Sequence, residues 1–169
     1  MDLSTIRVEP LGPNHDRSAF SCGAPELDRY LKEQAGQDAR RRVAAPFVAS
    51  NNGVRVLGFY TLSATSIQLT EVPQELAKRL PRYPRLPATL LGRLATDLSA
   101  RGVGLGRFLL VDAMVRAVRS EIASFALVVD ARDDAAAGFY ERESFIRLPD
   151  QALRLVGRMD DIAALVGER

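Results

Sequence analysis

Apolar residues recur along this chain with two periods, one near 2 and one near 3.6, and the switches between them divide it into elements. Thr5 to Leu11 reads as a first strand. From Pro25 to about Arg42, residues Leu27, Tyr30, Leu31, Gln34, Ala35 and Asp38 fall at helical spacings and predict an amphipathic helix. Phe47-Val48-Ala49-Ser50 then enters a hairpin. Its turn is Asn51-Asn52-Gly53, residue types that tolerate the positive φ of a tight turn, and Val54 to Leu69 returns as one long strand or two. Pro73 opens a short helix, Gln74 to Leu80, and the prolines at Pro81, Pro84 and Pro87 mark a loop.

The second half is more regular. Thr89 to Thr96 is an apolar strand, followed by the glycine-rich run Arg101-Gly102-Val103-Gly104-Leu105-Gly106 and a helix from about Leu105 to Ser120. In that helix Leu105, Phe108, Val111, Val115 and Val118 share one side while Leu110 and Met114 lie on another, so burial on two faces is predicted. Phe125 to Asp130 is a buried strand, Asp133 or Asp134 an N-cap, and Ala135 to Arg142 a short helix carrying Phe139 and Tyr140. Phe145 to Leu148 and Leu153 to Arg158 complete a mixed sheet. This alternation predicts an α/β fold with helices on both sheet faces. No repeat, low-complexity tract or linker interrupts it, and 169 residues with 47% hydrophobic composition suit one domain spanning 1–169.

Composition narrows the chemistry. No stretch approaches the roughly 20 apolar residues of a membrane span, and Met1 to Thr5 has neither a basic leader nor an apolar h-region, so a cytoplasmic location is expected. Cys22 is the only cysteine and His15 the only histidine, which leaves no set of soft ligands for zinc and neither an activated thiol nor a paired base. The formal charge is +2, yet Lys32 and Lys78 are the only lysines among 23 basic residues. Guanidinium groups grip phosphate through a planar fork, so an arginine-rich surface suits a phosphate-bearing partner; a solvated arginine surface with no partner is the alternative.

The order strand, glycine loop, helix is the order that phosphate binding needs. Free N–H groups at a helix N-terminus converge on an anion, and Gly102, Gly104 and Gly106 let the main chain approach it without Cβ clashes. Arg101 can add a charge-assisted bond, and Arg107 in the first helical turn opposes the helix dipole unless an anion is present. A nucleoside-triphosphate loop is excluded because the Gly-Lys-Ser/Thr ending is absent. A dinucleotide fold is disfavoured because the chain is not a run of parallel βαβ units.

The stretch Arg93 to Arg116 and the later Phe139-Tyr140-Glu141-Arg142 resemble the GCN5-related N-acetyltransferase (GNAT) superfamily, whose loop pattern is Arg/Gln-x-x-Gly-x-Gly/Ala. The head Phe20-Ser21-Cys22-Gly23 with Leu27-Asp28-Arg29-Tyr30-Leu31, the segment Gly58 to Ser63, and Leu80 to Pro84 with Leu91 to Ala95 resemble one subgroup, the GNAT toxins of type II toxin-antitoxin systems. The resemblance implies a central mixed, mostly antiparallel sheet. It also implies transfer of acetyl from acetyl-CoA to the α-amino group of aminoacyl-tRNA, which stops translation, and neutralisation by a ribbon-helix-helix antitoxin. A homodimer is implied as well. Carried over, Leu94, Ala95 and Thr96 flank the pantetheine and acetyl ends through their main chain. Arg101, Gly102, Val103, Gly104, Leu105, Gly106 and Arg107 hold the pyrophosphate, and Tyr140 is catalytic. One departure is Ser144, where the family carries glycine.

Acetyl transfer to an amine needs a neutral amine, a polarised carbonyl and a proton for the departing thiolate. A phenol of pKa about 10 is protonated at neutral pH, so Tyr140 can supply that proton, and an α-amine of pKa about 8 needs no strong base. Arg40, Arg41, Arg42, Arg79, Arg82, Arg85 and Arg93 are the candidates for tRNA phosphates, with Arg93 set apart as a charge inside an apolar strand. The alternative acceptor is a small-molecule amine or a protein N-terminus.

Overall fold

The computed structural model describes residues 1–167. Its strands are β1 (Arg7–Pro10), β2 (Ala45–Ser50), β3 (Gly58–Gln68), β4 (Arg85–Thr96), β5 (Ala126–Asp130), β6 (Ile146–Leu148) and β7 (Gln151–Arg158). Its α-helices are α1 (Pro25–Arg29), α2 (Ala35–Arg41), α3 (Gln74–Ala77), α4 (Leu105–Arg119), α5 (Asp134–Arg142) and α6 (Met159–Leu165). The strands form one sheet in the order β1-β2-β3-β4-β5-β7-β6. Of the strand pairs whose register is defined, only β4 with β5 is parallel. Contacts group the residues into two units interleaved along the chain, Met1–Ser63 with Gly92–Ala113, and Ala64–Leu91 with Met114 onward.

In the first unit β1, β2 and β3 pair antiparallel, with Arg7 opposite Ser50 and Ala49 opposite Gly58. Inward positions of β2 and β3, Val48 and Phe59, pack with Phe20, Tyr30 and Leu31. The Phe59 ring meets Phe20 edge-on at 5.6 Å and lies roughly parallel to Tyr30 at 6.2 Å. Burying each such side chain stabilises the fold by about 1.5–3 kcal/mol. The helix expected from Pro25 to Arg42 is interrupted by a π-turn at Tyr30–Gln34, whose extra residue lets Tyr30, Leu31 and Ala35 all reach the core. It ends at Arg42, which takes the left-handed conformation (φ 58°) at the C-cap.

The expected hairpin return at Val54 starts later, at Gly58. Val54 and Val56 are engaged elsewhere: the Asp16 N–H donates to the Val54 carbonyl at 2.7 Å, and the Val56 N–H donates to the Asp16 carbonyl at 3.1 Å. The first strand is also shorter than expected, because Leu3–Thr5 forms a 3₁₀ turn capped by Asp2.

In the second unit β5 lies beside Ala88–Leu91 of β4, with Ala88 opposite Ala126 and Leu91 opposite Val129, and antiparallel to β7 on its other side. Its core is Ile67, Val72, Leu86, Ala88, Ala126, Val128, Leu148 and Val156. The proline loop is shorter than expected, since β4 begins at Arg85. The short helix expected to reach Leu80 covers only Gln74–Ala77. Asp133 is the N-cap of α5, its carboxylate accepting from the Ala136 N–H at 2.8 Å. Helix α6 had no counterpart in the sequence reading. Gly157 lets it pack closely, because a Cβ there would lie 3.1 Å from Ile162 Cδ1 and 3.2 Å from the Phe145 ring. No helix of the described residues is long and apolar enough to cross a membrane.

Candidate functional site

The glycine loop is built by everything around it in the first unit. After β4 ends at Thr96, Asp97 caps a 3₁₀ turn, Leu98–Ala100, and the chain passes through Arg101 to Gly104 into α4. Gly102 and Gly104 have φ of +76° and +84°, the left-handed region that glycine enters at no steric cost. A Cβ on Gly102 would meet nothing within 4 Å, so backbone conformation rather than crowding calls for glycine there. Leu105 is buried, anchoring the first turn of α4, while Arg101, Gly102, Gly104 and Arg107 are exposed and Val103 and Gly106 half-buried. The first turn of α4 carries no acidic residue. Its partial positive charge therefore meets no carboxylate from its own first turn, and the residues present fit a pyrophosphate.

The head segment fixes this loop. The Ser21 N–H donates to Asp97 Oδ2 at 2.9 Å, and the Leu98 N–H donates to the Ser21 carbonyl at 2.8 Å. Arg101 Nη2 donates to the Cys22 carbonyl at 2.8 Å, passing where a Cβ on Gly23 would sit only 3.0 Å away. Gly23 also has φ +88°. The Phe20-Ser21-Cys22-Gly23 run is thus the brace of the loop. The Arg101 guanidinium is committed in part to that brace.

Asp97 escaped the sequence reading. Its side chain is 5% exposed and accepts from the Ser99 N–H at 2.9 Å and the Ser99 hydroxyl at 2.6 Å, with an Arg55 guanidinium nitrogen 3.7 Å away. Burial alone would raise its pKa, but the hydrogen bonds of Ser99 and Ser21 and the charge of Arg55 outweigh it and hold the carboxyl below its ordinary value. The Asp-x-Ser spacing, an Asx-turn pattern, was the available signal.

Leu94 and Thr96 are half-buried and Ala95 is buried, at the end of β4 that runs into the loop. Arg93 has found a partner: its guanidinium lies 3.6 Å from the centre of the Tyr30 ring, and the Tyr30 hydroxyl donates to buried Asp38 at 2.9 Å. Desolvation and Asp38 push the Tyr30 phenol up to about 12. A cleft of about 290 Å³ opens beside the pair, walled by Glu26, Arg29, Glu33 and Gln34. Arg40, Arg41 and Arg42 are exposed at the end of α2.

Cys22 is buried. Desolvation, with a contribution from Asp28, pushes its thiol up to about 11, so it is not a thiolate at neutral pH. His15 is structural: Nδ1 accepts from the Gly12 N–H at 2.9 Å, and Nε2 lies 2.8 Å from Glu9 Oε1.

In the second unit Tyr140 lies on α5, 6% exposed, with its ring edge-on to Phe139 at 5.1 Å and Phe145 at 5.9 Å. Among the described residues its hydroxyl has no hydrogen-bond partner. Burial moves its pKa up, so the phenol keeps its proton throughout the physiological range. Arg79, Arg82 and Arg85 are all exposed. Ser144, two residues past the end of α5, has φ +74°.

Residues 72–155 match the family model described as FR47-like protein. Over 155 residues the chain is 36% identical to the tRNA-acetylating toxin of Mycobacterium tuberculosis (strain ATCC 25618 / H37Rv), covering 90% of this chain and 92% of that one. The fold also matches solved structures of the toxin AtaT. AtaT complexed with acetyl-methionyl-tRNAfMet is 27% identical, with a TM-score of 0.87 and coverage of 95% and 98% of the two chains. AtaTR bound with acetyl-CoA is 26% identical, with a TM-score of 0.82 and coverage of 95% and 97%. A tyrosine-to-phenylalanine variant of AtaT bound to the C-terminus of the antitoxin AtaR is 25% identical, with a TM-score of 0.82 and coverage of 95% and 98%. The chain belongs to the GCN5-related N-acetyltransferase superfamily, within the family of the tRNA-acetylating toxins.

Proposed function

We propose that this chain is a single acetyltransferase domain and the toxin of a type II toxin-antitoxin system, transferring acetyl from acetyl-CoA to the α-amino group of aminoacyl-tRNA and so blocking translation. The observation that carries this reading is the positive-φ turn of Gly102 and Gly104 at the start of α4, in a chain 36% identical to a tRNA-acetylating toxin. When bound, acetyl-CoA supplies an acetyl group activated as a thioester. The N–H groups from Gly102 to Arg107 bind its pyrophosphate, and the main chain of Leu94, Ala95 and Thr96 orients the pantetheine and acetyl ends. Tyr140 holds a proton at Oη and delivers it to the departing sulfur. The burial that raises its pKa keeps that proton in place until negative charge develops. An α-amine, unlike a lysine ε-amine, is neutral often enough near pH 8 to attack without a strong base.

The AtaT structures support tRNA and an antitoxin as partners. A ribbon-helix-helix antitoxin, a homodimer and a cytoplasmic site of action complete the reading. Arg40, Arg41, Arg42, Arg79, Arg82 and Arg85 supply the cationic surface for tRNA, which makes binding fall steeply with added salt. Two measurements test the reading: growth on expression in a bacterial host, and incubation of the purified chain with labelled acetyl-CoA and total charged tRNA. Growth arrest and labelled aminoacyl-tRNA, both lost in Tyr140→Phe while acetyl-CoA still binds, are expected. General-acid loss costs about 10²–10⁴-fold in turnover. Label on free amines or protein N-termini, with tRNA untouched, would transfer the assignment to the alternative acceptor.

A further inference from the structure

The segment from Leu76 to Thr96 carries five cations, Lys78, Arg79, Arg82, Arg85 and Arg93, and no carboxylate. Within it Tyr83 is 64% exposed, an aromatic ring left in water beside guanidinium groups. The ring lies on a cleft of about 450 Å³, with Gln68, Leu69 and Thr70 opposite Arg82, Tyr83 and Arg85. That volume lies in the range of small-ligand sites, about 300–1,000 Å³. The two walls are tied, since the Leu69 N–H donates to the Pro84 carbonyl at 3.2 Å. Pro81, Pro84 and Pro87 restrict the backbone on both sides of Tyr83, so the ring is presented with little conformational freedom left to lose. The nearest acid along the chain, Glu75, is exposed on α3, and the next, Glu71, is engaged by the Gln68 N–H at 2.9 Å.

We propose that Tyr83, flanked by Arg82 and Arg85, is a stacking platform for an unpaired nucleotide at the 3′ end of the RNA substrate. The inference rests on the reading of the chain as a tRNA acetyltransferase and gives it a place to hold the acceptor end. An aromatic face gains from a nucleobase, whose own face stacks on it, while the guanidiniums on either side take the adjoining phosphates. Duplex RNA offers backbone and a shallow minor groove, with no base face to cover the ring. An acidic peptide would satisfy the arginines and leave the ring in water.

The test measures binding of the full-length chain to a fluorescent tRNA, intact or trimmed of its unpaired 3′ nucleotides, at fixed salt. Tyr83→Ala is expected to weaken binding of intact tRNA by about 5- to 100-fold, the worth of one stacked base, and to leave trimmed tRNA unaffected. Tyr83→Phe, which keeps the ring, is expected to bind as wild type, and because Tyr83 is exposed both variants should melt with wild type. Equal weakening on both RNAs, or none on intact tRNA, overturns the platform. So does loss of polyglutamate binding in the double variant Arg82→Ala, Arg85→Ala with tRNA binding intact, which would assign the cleft to an acidic peptide. The functional reading is judged separately: charged tRNA acetylated by wild type, with Tyr83→Ala binding intact tRNA normally, sinks this inference alone. Tyr83-dependent preference for intact tRNA without acetylation sinks the functional reading alone.

Discussion

Gly58 and Leu109 approach so closely that a Cβ on Gly58 would lie 2.8 Å from Leu109 Cδ1 and 3.2 Å from the Ala95 carbonyl oxygen. Leu109 is fully buried, so it has little room to give way. The missing side chain sets how near α4 comes to β3, and hence where the glycine loop is held. Gly58→Val is expected to cost about 1–3 kcal/mol through overpacking and to raise the KM for acetyl-CoA. Denaturant unfolding and acetyl-CoA titration check both; wild-type stability would show that the helix shifts freely.

Asp97 links stability to pH. Its pKa is lower in the fold than in the unfolded chain, so its contribution is full above the unfolded value near 3.8 and is lost as pH falls through the folded value. Asp97→Ala removes the acceptor for Ser21 and Ser99 and is expected to cost about 2–3 kcal/mol at pH 7, with a smaller difference from wild type in strong acid. Urea melts at several pH values report this, and a difference that grows toward low pH would refute it.

Activity should rise with pH through the titration of the substrate α-amine near pH 8 and then level off. Because burial raises the Tyr140 pKa, its proton is retained and no descending limb from this residue is expected below about pH 10. A kcat/KM profile on charged tRNA, corrected for deacylation, distinguishes this from a bell centred near neutrality.

Ser144 occupies a left-handed conformation (φ +74°) in which its Cβ is strained. Ser144→Gly is expected to stabilise the protein by about 1 kcal/mol, a rise of roughly 2–4 °C in Tm, without changing turnover. A lower Tm would mean that the serine hydroxyl or the unfolded-chain entropy outweighs the strain.

Periodicity and glycine spacing located β4, the loop and α4, because those residues repeat a local rule that long-range packing does not overrule. The expected sheet of mostly antiparallel strands is the one found. What escaped depends on partners far along the chain. Val54 and Val56 look like strand but answer to Asp16, and α6 packs Ile162 close against Gly157. Asp97 is an ordinary acid until Ser21 meets it from 76 residues away. The Tyr30 face that receives Arg93 depends on a π-turn that no helical repeat foretells.

The parallel pairing of β4 with β5 dictates the route of the chain between them. Two parallel strands cannot be joined by a tight turn; the chain must cross over, and here it does so through α4. A crossover helix that follows a strand through a short loop brings the bare amides of its first turn back toward that strand's exit, and here Gly102 and Gly104 shape the loop. With the cofactor at that turn, as proposed above, its seat comes with the connectivity, and substitutions at the acceptor end leave it in place.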